Sequence, residues 1–515
     1  MTGERLRSTI QWAGLVSAPV LAGLAYLVLP VDGGQAAAGV ADGLSYSARI
    51  TAAIGVWMAI WWITEAIPVY ATALIPVALL PVAGATTLKQ AAGPYAHELI
   101  FLFMGGFILA LSVQRWGLHR RVALAALRMV GSRPANVVGG FMLATGFISM
   151  WVTNTATSIM MLPIALSVID VVGGDRSGSS DENKPGRSVD PLAERFPVCL
   201  LLGVAYAATI GGVGTLIGTA PNLFLASYVK DELGVEISFI RWMGIGIPVV
   251  VIFLPITWLL LTKMLYPLGR GAIEAKKDLS RRAYRDLGPM SRGERATLTV
   301  FVITALLWVV RPVLMTLSWA GMAPFAGLSD PGIAILGALA LFVIPVDARR
   351  RVFVMDWRTV TALPWGILVL FGGGLSLAAA IGANGVGEWI GRRVGALAGL
   401  PPLVLVTLVV TLVIFLTELT SNTASTATLV PILAALAPGL GISPFLMIVP
   451  ATIAASCAFM LPVATPPNAV VFSSGRIRIG QMSRAGLWLN FVGIILITAL
   501  AYTVMIPLLA DIAEG

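Results

Sequence analysis

The sequence predicts an all-α polytopic membrane protein with about 11 transmembrane helices, on three observations. The 515 residues are 57% hydrophobic and 11% charged, with a mean hydropathy of +0.90, whereas soluble domains carry about a quarter charged residues. Apolar windows of about 20 residues, long enough to cross a bilayer as a helix, recur from residues 10–30 to 487–509. The basic residues lie in short segments between these windows, which is typical of loops that orient a membrane protein and not of a nucleic-acid-binding surface.

The distribution of Lys and Arg predicts the direction of each span, starting from a cytoplasmic N-terminus and ending with Asp511 and Glu514 outside. The segments that should be cytoplasmic include residues 115–133, with five arginines, residues 263–295, with nine Lys or Arg, and residues 349–358, with four arginines. The predicted spans, in chain order, are residues 10–30, 49–83 (two crossings, broken near Pro68), 99–113, 197–229, 243–261, 297–317, 331–346, 363–381, 445–472 and 487–509.

Two further apolar stretches are interrupted halfway by short polar tips. The first, residues 135–172, is interrupted by Thr153-Asn154-Thr155, and the second, residues 402–440, by Ser421-Asn422-Thr423. The charge distribution fits if each stretch returns to the side from which it came. We therefore predict two re-entrant helical hairpins, the first facing the cytoplasm and the second facing outward.

The two halves of the chain form an internal repeat. The sequence FMGG at 103–106 corresponds to FGGG at 371–374, the first tip corresponds to the second, and Pro163 corresponds to Pro431, all at an offset of 268. The segment GTAPN at 218–222 corresponds to ATPPN at 464–468 at an offset of 246, because the second half lacks most of the polar segment 173–190. The copies begin with spans of opposite direction, and inverted repeats with broken helices are typical of secondary transporters.

The four predicted breaks, two tips and two Pro-Asn segments, suit ion binding. Free carbonyl groups at helix C-termini can bind Na⁺, and free N–H groups at helix N-termini can bind carboxylates. The alternatives are a helix cap at each tip, a proline kink at each Pro-Asn segment, and a packing role for the intramembrane Glu65 and Glu418. Residues 135–172, 197–229, 402–440 and 445–472 contain no Lys, Arg or His, so bound Na⁺ is the expected source of positive charge for a dianion.

These residues resemble the divalent anion/sodium symporter family, the INDY-type dicarboxylate transporters. The resemblance covers nearly the whole chain and includes WWITEAIP at 61–68, both tips and both Pro-Asn segments. The first tip departs from the family's usual Ser-Asn-Thr because Thr153 replaces the serine and adds a methyl group. The resemblance implies two Na⁺ sites, formed by Ser149, Thr153, Asn154 and Gly218 and by Thr417, Ser421, Asn422 and Ala464.

The resemblance also implies a substrate site and a mode of movement. The substrate would contact Thr153, Asn154, Thr155, Thr219, Ser421, Asn422, Thr423, Thr465 and Pro466. A homodimer of elevator type is expected, with residues 112–133 and 384–400 as interfacial arms. The expected units are scaffold helices with the first arm (1–133), a first transport half (134–267), a basic loop with scaffold helices and the second arm (268–401), and a second transport half (402–515).

The sequence thus predicts a Na⁺-coupled symporter of C4-dicarboxylates (succinate, malate, fumarate) in a bacterial inner membrane. Its partners would be the dicarboxylate, Na⁺ as coupling ion, the lipid bilayer and a second copy of the chain, without a resident cofactor or nucleic acid. A sodium-independent anion exchanger and a carrier of citrate or sulfate stay open as alternatives. An enzyme is not expected, because no nucleophile–base pair, metal-ligand spacing or phosphate-binding loop stands out.

Overall fold

The computed structural model describes residues 2–31, 43–129, 131, 133–174, 191–269, 285, 287–317, 322–393 and 399–508. Several of the sequence predictions fall wholly or partly outside the described residues. They include the polar segment 173–190, the basic segment 263–295, parts of the two arms at 112–133 and 384–400, and the acidic residues Asp511 and Glu514.

The described chain is almost entirely helical, in the order that the apolar windows predict. The helices of the first half are α1 (Thr2–Val28), α2 (Tyr46–Thr64), α3 (Val69–Thr72), α4 (Ile75–Val82), α5 (Leu88–Ala92), α6 (Glu98–Arg115), α7 (Leu118–Met129), α8 (Pro134–Ser149), α9 (Asn154–Gly174), α10 (Pro191–Gly212), α11 (Ala220–Leu233) and α12 (Phe239–Leu259, continued by a π-helical turn to Leu265). Those of the second half are α13 (Arg292–Met315), α14 (Asp330–Val343), α15 (Trp357–Val360), α16 (Trp365–Ala383), α17 (Val386–Arg393), α18 (Pro402–Thr417), α19 (Asn422–Gly439), α20 (Pro444–Ala455), α21 (Pro466–Phe472) and α22 (Ile479–Leu500, continued by a π-helical turn to Met505).

Several of these helices have the length and composition of membrane spans. Seven of the helical stretches in the described residues are long and apolar enough to cross a membrane, and six further apolar stretches are shorter. The difference from the predicted count arises because none of the seven lies in the predicted windows 49–83, 331–346 and 445–472, where the structure has shorter or interrupted helices. The helical membrane fold is confirmed, and the number of spans stays a prediction.

Local sequence explains where several helices begin. Ser45, Ser238 and Ser291 each precede a helix, and their hydroxyls accept the N–H of the residue three positions later at 3.1 to 3.4 Å. These bonds satisfy donors that the first helical turn leaves without a partner. The break predicted near Pro68 is also present: α2 ends at Thr64, and Glu65 has a left-handed backbone with φ 47°.

A short β-hairpin interrupts the otherwise helical fold and corrects the expectation of an all-α chain. Strands β1 (Pro345–Asp347) and β2 (Val352–Phe353) pair antiparallel after α14. The carboxylate of Asp347 accepts the N–H groups of Arg349 and Arg350 at 3.0 and 3.1 Å, which stabilises the turn between the strands. The sequence interpretation assigned these arginines only to a cytoplasmic loop.

The predicted repeat recurs in the packing of the helices. In the first half α8 and α9 both pack against α10, and in the second half α18 and α19 both pack against α20. The halves also contact each other crosswise, because α9 packs against α21 and α19 packs against α11. The helix that follows each tip therefore contacts the helix that follows the other half's Pro-Asn break.

Close packing of α8 against α10 holds the helices of the first half together. A Cβ atom on Gly211 of α10 would lie 2.3 Å from the carbonyl oxygen of Gly146 on α8, so the two backbones approach each other directly. The predicted arms are also helical: α7 packs against α8, and α17 packs against α19. Each arm thus contacts the helix pair that carries a polar tip.

Candidate functional site

The first tip is a short break between two helices. Helix α8 ends at Ser149 and α9 begins at Asn154, so that residues 150–153 leave the helical path. Thr153 lies directly before α9, and its Oγ1 accepts the N–H of Ala156 at 3.4 Å. The carbonyl oxygen of Met150 accepts a hydrogen bond from Thr215 Oγ1, which lies in the break between α10 and α11. The first tip and the first Pro-Asn segment therefore form one local structure.

Three oxygen atoms cluster behind this tip. The Oγ of Ser149 lies 2.8 Å from Asn154 Oδ1 and 2.7 Å from the carbonyl oxygen of Ala208 on α10. A hydroxyl group has a single proton, so it cannot donate to both acceptors. In the other orientation of the Asn154 amide, Nδ2 donates to Ser149 Oγ and the hydroxyl donates to Ala208. The hydrogen bonds of the cluster can thus be satisfied without a cation. When Asn154 Oδ1 faces the hydroxyl instead, one acceptor oxygen has no proton, and a cation can bind it.

The second tip repeats this cluster. Helix α18 ends at Thr417 and α19 begins at Asn422. The Oγ1 of Thr417 lies 2.7 Å from Asn422 Oδ1 and 2.9 Å from the carbonyl oxygen of Ala455 on α20. Ser149 and Thr417 are both fully buried, and the pairs Ser149/Thr417 and Asn154/Asn422 both stand at the repeat offset of 268. Two copies of one geometry argue against an isolated helix cap.

The two Pro-Asn breaks also share their hydrogen bonds. In the first break the N–H of Gly218 donates to the carbonyl oxygen of Thr215 at 3.4 Å, and in the second the N–H of Ala464 donates to that of Leu461 at 3.2 Å. Helices α11 and α21 then begin at Ala220 and Pro466, where proline in the first turn costs no hydrogen bond. The prolines thus stand in the first turn of the helix that follows each break, several residues after the preceding helix has ended at Gly212 or Ala455.

Glycine residues bring the first break against the first tip. A Cβ atom on Gly212 would lie 2.3 Å from Asn154 Oδ1, and one on Gly218 would lie 2.4 Å from the carbonyl oxygen of Gly212. Gly212 therefore lies between the tip asparagine and the predicted sodium ligand Gly218. Gly212 is not among the predicted site residues; the sequence signal for it is a glycine at the end of an apolar helix beside a predicted break.

The predicted substrate residues lie at the starts of helices. The tip residues Thr153, Asn154, Thr155, Ser421, Asn422 and Thr423 are all partly accessible, as is Thr219, whereas Thr465 is buried and Pro466 is exposed. Helices α9 and α19 begin at the tips, and α11 and α21 begin directly after Thr219 and Thr465. Helices α9, α11 and α19 thus begin with N–H groups that can face a ligand, whereas α21 begins with Pro466 and Pro467, which have no N–H, and Thr465 Oγ1 accepts the N–H of Asn468.

Glu418 follows α18 and is buried, and it has four hydrogen-bond donors. Its Oε1 accepts from Phe459 N at 2.8 Å and from Asn490 Nδ2 at 2.9 Å. The N–H groups of Met460 and Leu461 lie 2.9 and 3.3 Å from its carboxylate oxygens. Glu418 thus holds the second break by hydrogen bonds, a role that the sequence left open. Its counterpart at the 268 offset is Met150, so only the second half has this carboxylate.

The partners of these side chains are mostly backbone groups, which the sequence could not reveal. No particular residue type marks these partners in the sequence, because they are the carbonyl groups of Ala208 and Ala455 and the N–H groups around Met460. The structure brings Ser149 together with Asn154, and Thr417 together with Asn422, as the resemblance implies. Thr153 and Ser421 each lie immediately before the helix that begins at their tip. Among the described residues, neither side chain forms a hydrogen bond to another predicted ligand.

Comparisons with known proteins agree on the family. The model of the sodium:sulfate symporter transmembrane region matches residues 22–510. A protein of Staphylococcus aureus strain MRSA252, named sodium-dependent dicarboxylate transporter SdcS, is 40% identical over 502 residues, which cover 97% of this chain and 92% of that protein. Its counterpart in strain USA300 is 41% identical over 456 residues, covering 88% of this chain and 85% of that protein.

Two solved structures share the fold at low sequence identity. The structure of Neisseria gonorrhoeae MtrF, described as one of a class of antimetabolite efflux pumps, superposes with a TM-score of 0.58 at 13% identity and covers 96% of this chain and 94% of its own. The Alcanivorax borkumensis YdaH transporter superposes with a TM-score of 0.54 at 15% identity and covers 80% of this chain and 87% of its own. At these identities the likeness concerns the fold alone.

Proposed function

The chain belongs to the sodium:sulfate symporter family, a family of membrane-embedded transporters, and we propose that it couples the inward movement of Na⁺ to that of C4-dicarboxylates such as succinate, malate and fumarate. The observation that carries this proposal is the duplicated oxygen cluster at the tips, Ser149 with Asn154 and Thr417 with Asn422. The name of the Staphylococcus aureus relatives supports both the coupling ion and the substrate class.

Sodium is proposed to bind once in each half. The first site uses oxygens of Ser149, Thr153, Asn154 and Gly218, and the second uses those of Thr417, Ser421, Asn422 and Ala464. Na⁺ is a hard cation that takes hydroxyl, amide and backbone carbonyl oxygens. The proposal is supported by the orientation in which Oδ1 of each tip asparagine faces the hydroxyl, because the single hydroxyl proton then leaves one acceptor oxygen that a cation can bind.

The dicarboxylate is proposed to bind between the two tips. Its carboxylates would accept N–H groups at the starts of α9 and α19 and hydroxyl or amide protons from Thr153, Asn154, Thr155, Ser421, Asn422 and Thr423, with Thr219, Thr465 and Pro466 completing the pocket. The crosswise packing of α9 on α21 and of α19 on α11 supports one shared site. No Lys, Arg or His occurs in the four segments around it, so bound Na⁺ supplies the charge that helix dipoles alone provide weakly.

The ion pairs between the proposed transport halves and the scaffold helices fit an elevator movement. On one end of the protein, Lys230 of α11 pairs with Glu98 of α6, and Asp231 lies 3.0 Å from His97. Glu236, which follows α11, lies 2.9 Å from Arg311 of α13. In the proposed scheme these ion pairs link the transport halves to the scaffold helices. When the transport halves slide, these pairs break and other contacts replace them. The homodimer that such a scheme normally uses rests on the family resemblance.

Uptake into proteoliposomes tests the proposed function. Labelled succinate, malate, fumarate, citrate and sulfate are offered with Na⁺ or with choline in its place. We expect Na⁺-dependent uptake of the C4-dicarboxylates, with unlabelled succinate competing. Uptake that persists in choline and requires internal anion would instead identify an exchanger, and a preference for citrate or sulfate would change the substrate class.

The orientation is tested by cysteine labelling in intact cells. The native Cys199 and Cys457 are buried, so a single new cysteine can be followed. We expect a cysteine in the basic segment 263–295 to be protected from an impermeant thiol reagent and one beside Asp511 to react. Reaction at both places or at neither would contradict the proposed cytoplasmic N-terminus and the inverted repeat.

A further inference from the structure

Each Pro-Asn break contains an asparagine that the predicted site does not include. Asn222 lies in α11 and Asn468 in α21, at the repeat offset of 246, and both side chains are completely buried. A buried amide needs partners for two donors and for a carbonyl oxygen. Two carbonyl partners of the amide nitrogen, and the lack of a partner for the amide oxygen, recur in both halves.

The amide nitrogen of each asparagine holds the backbone of its break. Nδ2 of Asn222 donates to the carbonyl oxygens of Gly212 at 3.0 Å, Val213 at 3.3 Å and Thr215 at 2.8 Å. Nδ2 of Asn468 donates to those of Ala458 at 3.3 Å and Leu461 at 3.0 Å. Gly212 corresponds to Ala458, and Thr215 corresponds to Leu461, at the same offset of 246. Two of the three bonds of Asn222 are therefore duplicated in the second half.

The amide oxygen has no hydrogen-bond partner in either half. Among the described residues, no donor bonds to Asn222 Oδ1 or to Asn468 Oδ1, although both atoms are buried. A buried acceptor without a donor is unfavourable by about 1 to 3 kcal/mol. The orientation of the amide is fixed, because turning it over would aim Oδ1 at the carbonyl oxygens that Nδ2 now binds. An asparagine with a purely structural role would normally satisfy both ends of its amide.

The held carbonyl groups lead directly to the proposed sodium sites. The carbonyl oxygen of Thr215 accepts both Asn222 Nδ2 and the N–H of Gly218, a proposed sodium ligand. In the second half, the carbonyl oxygen of Leu461 likewise accepts Asn468 Nδ2 and the N–H of Ala464. Loss of either asparagine would release the carbonyl group that fixes the neighbouring ligand.

Gly212 provides a second connection in the first half. Its carbonyl oxygen accepts a hydrogen bond from Asn222, and its Cα lies against Asn154 Oδ1 at the tip. Asn222 therefore fixes both Gly218 and the backbone on which the tip asparagine rests.

From this duplicated geometry we propose that Asn222 and Asn468 are positioning residues for the two sodium sites, one for each half. Each amide orients the break carbonyl groups through Nδ2, while its Oδ1 is a buried oxygen without a donor among the described residues. This inference rests on the proposed sodium-coupled function. Outer partners of metal ligands typically change metal affinity by about 10- to 100-fold when they are removed, and the same range is expected for Na⁺ here.

The test measures how sodium stabilises the purified full-length protein. The midpoint of thermal unfolding is titrated with NaCl, with choline chloride keeping the ionic strength constant, for the wild type, Asn222→Ala and Asn468→Ala. We expect each variant to need about 10- to 100-fold more Na⁺ than the wild type for the same stabilisation. A structural role alone would lower the unfolding midpoint equally in choline and in Na⁺ and leave the sodium dependence unchanged.

Matched controls lie on the same broken segments. Ser227→Ala in α11 and Thr452→Ala in α20 each remove a fully buried hydroxyl that bonds to a carbonyl within its own helix. Both controls should keep the wild-type sodium dependence. If an alanine variant does not yield folded protein, Asn222→Ser or Asn468→Ser replaces it, since serine keeps one donor, and the same expectation and the same contrary result apply.

A double-variant comparison assigns each asparagine to its site. Asn222→Ala should add little to the effect of Ser149→Ala, which disturbs the same site, and should add fully to that of Thr417→Val. Folded variants with wild-type sodium dependence would overturn the positioning role and leave the proposed function standing. A wild type that sodium does not stabilise would overturn both.

Discussion

Removing one hydroxyl from each oxygen cluster tests the sodium sites without disturbing the tips themselves. Ser149→Ala and Thr417→Val each remove the group that lies between a tip asparagine and a carbonyl oxygen of the neighbouring helix. Valine keeps the branched shape of threonine, and alanine shortens serine by a single oxygen atom, so packing in these buried positions changes little. Both tips keep their asparagine.

The structure gives the expected magnitude. The removed hydroxyl is the shared partner of Asn154 Oδ1 and of the Ala208 carbonyl oxygen, and its loss costs stability by about 1 to 3 kcal/mol because buried acceptors lose their donor. Sodium loses one proposed ligand and the group that orients a second. The apparent Na⁺ affinity should therefore fall about 10- to 100-fold, which corresponds to about 1.4 to 2.8 kcal/mol.

The assay is the sodium dependence of succinate uptake into proteoliposomes. Half-maximal uptake should require about 10- to 100-fold more Na⁺ for each single variant, and the effects should combine in the double variant because the two clusters are separate. Ser227→Ala, a buried serine bonded only within α11, is the matched control and should behave as wild type. Sodium dependence within threefold of wild type in both variants would refute the assignment of Ser149 and Thr417 to sodium sites.

Three further predictions address the neighbouring elements. Gly212→Ala places a Cβ atom 2.3 Å from Asn154 Oδ1 and should weaken the apparent Na⁺ affinity about 10-fold in the uptake assay. Glu418→Gln replaces an acceptor oxygen by an NH₂ group that faces backbone N–H donors. The lost hydrogen bonds at the second break should lower the stability of the protein by about 2 to 3 kcal/mol, measured as a lower unfolding midpoint. Arg311→Met leaves the buried carboxylate of Asp330 without the guanidinium 3.1 Å away and should destabilise the protein by about 3 to 5 kcal/mol in chemical denaturation.

Each of these variants has a control of the same chemistry. Gly480→Ala adds a Cβ atom with no neighbour within 4 Å and should leave the apparent Na⁺ affinity in the uptake assay as in the wild type. Glu388→Gln and Arg350→Met alter exposed side chains and should change stability by no more than about 0.5 kcal/mol. Equal effects in a variant and its control would contradict the explanation given for that site.

The sequence predicted the breaks well because their signal is local. Proline and small polar residues inside an apolar window stand out, and α8 ends and α9 begins around the predicted tip at 153–155. The offset of 246 between the Pro-Asn segments holds even for individual hydrogen bonds, such as those of Asn222 and Asn468. A repeat in sequence thus predicted a repeat in geometry.

The sequence could not predict the atoms that complete the site. The carbonyl oxygens behind the tips belong to Ala208 and Ala455, which are ordinary residues of apolar helices. They also stand one position out of the 246 register, so the repeat alone would not have found them. The β-hairpin at 345–353 was missed for a related reason: its turn is stabilised by Asp347 and the local backbone, which a charge count does not register.

Sodium-coupled binding at the tips is best tested by measuring how tightly succinate binds to the purified protein with and without sodium. Isothermal titration at fixed ionic strength, in NaCl and in choline chloride, gives the two affinities, and binding linkage requires that succinate raise the affinity for Na⁺ by the same factor. Because the four broken segments contain no Lys, Arg or His, the account predicts binding about 100-fold tighter in NaCl. Equal affinity in the two salts would contradict sodium-coupled binding at the tips.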